Sequence, residues 1–155
     1  MTQQATAPEP KRFDCDNFVE LLAHLTEYES LSFPITLIVG GLFVCGVTIT
    51  SKEYFRKLAD DVKAKGSSES EDVKRTFESF LDSVAEIASK PPKETMSEAS
   101  ERGHYPRFLH LMEVTIYSAT GQTTTMEDLL WRIRIDKIDG FSMGTLNQAE
   151  EERVA

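Results

Sequence analysis

Twenty consecutive residues, LSFPITLIVGGLFVCGVTIT from Leu31 to Thr50, carry no formal charge. That is the length of a membrane-spanning helix, but the pattern inside it is that of paired strands. Phe33, Ile35, Leu37 and Val39 alternate with Ser32, Thr36 and Ile38. Ile35, Ile38, Val39, Val44, Val47 and Ile49 are β-branched, and such side chains suit a pleated surface. Gly40 and Gly41 fall at the middle, where a two-residue turn demands positive φ. The stretch is therefore expected to be a β-hairpin. Both of its faces are fairly apolar, which makes it a central hairpin covered on each side.

Helical periodicity flanks the hairpin. Phe18, Leu21, Leu22 and Leu25 mark one stripe of a first helix, with Asp14 or Asp16 as its N-cap. After the hairpin, Thr50 and Glu53 have the spacing of a capping box, and Phe55, Leu58, Ala59 and Val62 continue at helical spacing. Gly66 stops that helix and SSESE opens the next, with acid where the dipole favours it. Val73, Phe77, Phe80, Leu81, Val84, Ile87 and Ala88 form the most regular apolar stripe in the chain, ended by Pro91 and Pro92. Residues 91–106 read as a polar loop.

The last third returns to strands. RFLHLMEVTIYS (107–118) and LLWRIRIDKI (129–138) are β-rich and joined by the polar ATGQTTTMED. Trp131, Ile133 and Ile135 alternate with Arg132, Arg134 and Asp136. Asp139-Gly140 then makes either a two-residue hairpin turn or a bulge. The expected fold is α+β, an antiparallel sheet of two hairpins (four or five strands) packed with about three helices in the order α-ββ-αα-ββ(β). No internal repeats and no heptads are read from the chain. A disordered leader (1–12) precedes a single domain (13–146), and an acidic tail (147–155) follows it.

Composition narrows the function classes. The chain of 155 residues has room for one core, and MTQQATAPEPKR has no apolar run of a secretory or transit signal, which implies a cytoplasmic protein. Acidic residues number 26 against 17 basic, a net charge of −9, so a phosphate backbone would be repelled and nucleic acid is not expected as a partner. Cys15 and Cys45 stand thirty residues apart with no CxxC, and read as reduced thiols. His24, His104 and His110 lack zinc spacing. His24 falls at the edge of the first helix, and His110 reads as a hydrogen-bonded structural histidine in a strand. DCDN fails as a calcium loop, because Val19 stands where glycine is needed and Leu25 where glutamate is needed. GGLFVCG is no dinucleotide fingerprint. No catalytic, cofactor or metal residue is assigned, and an enzyme is not expected.

Three stretches together resemble the gas vesicle accessory protein U (GvpU) family: LIVGGLFVCGVTITSKEYF, RFLHLMEVTIY and WRIRIDKIDGFSMGTL. Within them lie G-x-x-I-[ST]-x-K-E-[YF] from Gly46 to Tyr54, F-L-H-L at 108–111, and W-R-x-[RK]-I-x-x-[IV]-D-G-F-x-x-G from Trp131 to Gly144. The resemblance implies a non-catalytic bacterial accessory protein that self-associates, as a homo-oligomer, and promotes or regulates the clustering of gas vesicles. Its partners would be gas vesicles or other gas vesicle proteins, without a cofactor. The other reading is a small-ligand or general protein-interaction module. Gly40, Gly41, Glu53, Asp139 and Gly140 suit turns and caps. Arg132 is placed to pair with Asp136 or Asp139. As an assembly surface, Tyr54, Trp131, Arg132 and Phe141 are the candidates, because aromatic residues and arginine dominate interfaces.

Overall fold

A computed structural model describes residues 16–65, 71–89, 96–101, 106–120, 123–125 and 129–146. The leader, Cys15, Gly66, residues 67–70 of SSESE, Pro91, Pro92, His104 and the acidic tail lie outside the described residues. In chain order the elements are α1 (Asn17–Glu29), β1 (Pro34–Val39), β2 (Leu42–Ile49), α2 (Ser51–Lys65) and α3 (Glu71–Ser89). They continue with α4 (Met96–Glu101), β3 (Phe108–Tyr117), β4 (Thr123–Thr125), β5 (Trp131–Arg134) and β6 (Gly140–Met143). The fold is α+β with an antiparallel sheet, in the expected order. Two short elements exceed the expectation: α4 lies within the polar loop, and β4 within ATGQTTTMED.

The uncharged stretch is the hairpin β1–β2, with Val39 paired to Leu42. Gly40 and Gly41 have φ of 55° and 82°, the two positive values of the mirror-image turn that matches strand twist. Among the described residues, no helix is long and apolar enough to cross a membrane. β2 is central, in a sheet ordered β4-β3-β2-β1-β6, and β5 pairs with the start of β3.

Asp139-Gly140 is neither a hairpin turn nor a bulge. A 3-10 turn, Ile135–Lys137, follows β5, and the chain then crosses to the opposite edge, where β6 pairs with β1. Four strand spacings in a flat sheet span ~19 Å. The five linking residues give six Cα-to-Cα steps from Arg134 to Gly140, three of 3-10 turn and three extended, which reach only ~16 Å. The sheet therefore coils, bringing its edges towards each other. The hairpin tip is tied to this crossing, because Asp139 Oδ2 accepts the Gly40 N–H at 2.7 Å and the Asp139 N–H donates to the Ile38 carbonyl at 2.8 Å.

One face of the sheet presents Ile35, Leu37, Val44, Leu109, Leu111, Val114 and Ile133, all buried against Val19, Leu22 and Ala23 of α1. The α1 stripe is thus rotated from the one periodicity picks out, and Phe18 and Leu21 stay nearly half exposed. Val19 and Ala23 put little bulk between α1 and the sheet, and Leu22 packs into the core beside them. Asp16, not Asp14, is its N-cap, accepting the Phe18 N–H at 2.7 Å.

A buried polar relay fixes where α1 sits. The Thr26 hydroxyl donates to Thr48 Oγ1 at 3.0 Å, and Thr48 Oγ1 also accepts the Phe33 N–H at 2.9 Å. Thr48→Val keeps the shape and orphans both donors, so it should lower stability by about 1–3 kcal/mol. Urea denaturation reads this directly, and an unchanged midpoint would show that the relay is dispensable.

Candidate interaction surfaces

The second sheet face meets α2, and capping sets the contact. Thr50 Oγ1 accepts the Glu53 N–H at 3.1 Å, one half of the expected capping box. The Glu53 carboxylate turns instead to Lys57, 3.8 Å away. The other anion at this helix start comes from α1. Glu27 accepts the Ser51 N–H at 3.0 Å and also the Ser51 hydroxyl, where the helix dipole favours negative charge. Glu27 was missed from the sequence because its partner lies 24 residues away.

This entry lays Tyr54 and Phe55 over β3. Tyr54 is 4.7 Å and Phe55 6.0 Å from the His110 ring, centroid to centroid. Arg132 lies across from His110 in the β3–β5 register. Its guanidinium stands 3.6 Å from the centroid of Phe108 and 5.7 Å from that of Phe55, a cation between two π faces. Burial, and secondarily the Arg132 charge, lower the His110 pKa to about 4. Burial raises the Tyr54 pKa against an opposing effect of Arg132. The imidazole is therefore neutral at pH 7 and covered by Tyr54 and Phe55, with no hydrogen bond to Nε2 among the described residues. The expected hydrogen-bonded histidine is thus open at Nε2. His24 lies buried within α1 rather than at its edge, and burial lowers its pKa too. Among the described residues, no group of three or more His, Cys, Asp or Glu is placed to hold a metal ion.

The four candidate surface residues do not form one patch. Tyr54 and Arg132 meet beside His110. Trp131 is half-buried against the core on the α1 side. Phe141 lies on β6, at the other edge of the sheet, stacked on Phe18 at 5.3 Å. Arg132 pairs with neither Asp136 nor Asp139. Arg134 holds Asp136 through two bonds of 3.0 and 2.5 Å, and Asp139 holds the hairpin tip. Of the other turn residues, Gly140 begins β6 opposite Ile38.

The apolar surface that stands out is on α3. Leu81 is buried towards α2, while Val73, Phe77, Phe80 and Ile87 remain 48–67% exposed. Asp72, Val73, Thr76, Phe77 and Phe80 line a shallow apolar groove there. Periodicity found the stripe; only the packing shows that no described element covers it.

A family model described as gas vesicle protein GvpU-like matches residues 16–146. No curated protein and no solved structure matches. The matched span takes in α2, α3 and the loop after them, and so is broader than the three stretches that carry the resemblance.

Proposed function

Because the chain belongs to the gas vesicle protein GvpU-like family, we propose that it is a non-catalytic accessory that associates with itself and gathers gas vesicles into clusters. Association with gas vesicles follows from the family. Self-association and clustering are supported by the exposed apolar stripe of α3, a surface of the kind that marks protein contacts.

Flotation tests the reading. Purified full-length protein is mixed with intact gas vesicles and spun gently, so that vesicles rise. The protein should rise with them, and vesicles should clump as the dose increases. Protein left entirely in the subnatant, with vesicles dispersed, would overturn the proposal.

A further inference from the structure

Resting on the self-association reading, we propose that the α3 stripe is a homodimer seam. A second copy lays its own α3 along it, so that two α2–α3 hairpins close into a four-helix arrangement.

The spacing is the first observation. Val73, Phe77, Phe80, Val84 and Ile87 are separated by four, three, four and three residues, the repeat by which one helix buries a seam against another. It spans only two heptads, too short to stand out in the sequence. Its ends are alike, Val73 and Ile87 lying seven residues either side of Phe80, and a two-fold contact demands such self-complementary surfaces. α2 covers only the neighbouring flank, where Leu81 is buried and Lys63 meets Asp82 at 3.1 Å. A helical hairpin with one face still open completes its core when a second hairpin packs on it.

Charge selects the occupant. The face formed by Val73, Thr76, Phe77, Phe80, Ser83, Val84 and Ile87 carries no charge, on a chain of net −9. Two acidic copies repel over most of their surface, and an uncharged strip is where they approach at least cost. An anionic lipid surface would call for Lys or Arg along the stripe, but its charged flank holds Asp72 and Glu86. The hydroxyls beside the seam are already used, Thr76 donating to the Asp72 carbonyl and Ser83 to the Ser79 carbonyl, both at 2.8 Å. A partner that covers them leaves no donor unsatisfied. The four exposed side chains offer roughly 400 Å² per copy, taking ~200 Å² for a whole aromatic side chain. Two copies thus bury ~800 Å² from these residues alone, below a standard interface of about 1,600 Å². The dimer is accordingly weak and concentration-dependent.

Sedimentation velocity on the full-length protein, over a range of concentrations, tests the seam. Wild type should pass from monomer to dimer as concentration rises. Phe77→Glu/Phe80→Glu should remain monomeric with unchanged circular dichroism, and the uncharged Phe80→Ser should weaken the dimer at least tenfold. Arg75→Glu, on the far side of α3, should dimerise like wild type. If both Phe80 variants associate like wild type, the seam is wrong while self-association stands on another surface. A wild type that is monomeric throughout overturns both readings. If that monomer floats with vesicles only when Phe77 and Phe80 are intact, the occupant of the stripe is a vesicle component, and association with vesicles stands without self-association.

Discussion

Gly46→Ala is expected to lower the unfolding free energy by about 2–3 kcal/mol, and Gly46→Val by more than ~3 kcal/mol, as overpacking against backbone does. Gly46 lies in β2 opposite an irregularity in β3, where Cys45 pairs with Thr115 and Val47 with Met112. One residue of β2 therefore faces two of β3, a bulge, with Glu113 at φ 54°. A Cβ on Gly46 would lie 3.0 Å from the Met112 carbonyl oxygen, 3.2 Å from Val114 Cγ2 and 3.3 Å from Leu111 Cβ. The first of these is main chain, so relief requires moving β3 rather than turning a side chain. Urea midpoints at constant slope give the loss. A stable Gly46→Val protein would mean that the two central strands can separate without cost.

Acid should destabilise the fold well above the carboxylate range. The ordinary histidine value of 6.5 is lowered to about 4 at His110. Above pH 6.5 both folded and unfolded forms are neutral there, and stability is at its plateau. Between about 6.5 and 4 the unfolded chain takes up a proton that the folded chain does not, so stability falls with pH. Below about 4 both are protonated and the loss levels off. At 1.36 kcal/mol per pH unit, the gap of 2.5 units costs at most about 3 kcal/mol. His24, shifted in the same direction, adds to it. Denaturation curves from pH 7.5 to 4 should show this loss, and His110→Phe, which keeps a ring under Tyr54, should flatten much of it. Equal pH dependence in variant and wild type would show that His110 is not the group responsible.

Among the residues read from the sequence, those governed by neighbours a few positions away were legible. The Gly40-Gly41 turn, the strands on either side of it and the Thr50 cap all depend on such neighbours, and all stand where the pattern places them. The site was less so. Of Tyr54, Trp131, Arg132 and Phe141, the sequence shows that each is aromatic or arginine and on which element it stands. It does not show that β5 and β6 pair at opposite edges, which separates Trp131 from Phe141. Arg132 was expected to meet a carboxylate; the strand pairing instead brings Phe108 and Phe55 under its guanidinium. The α1 stripe was misjudged by about one residue, because a helix with apolar side chains on two adjoining arcs does not declare which one faces a sheet.

By itself, then, the sequence determined the kind and order of elements and the family resemblance, since caps, turn glycines and 2.0 or 3.6 periodicity act within a few residues. Tertiary structure alone decided burial: which arc of α1 is covered, that His110 lies under Tyr54, that Gly46 faces the bulge, and that no described element covers the α3 stripe. Burial depends on partners dozens of residues away, and local pattern carries no record of where they meet.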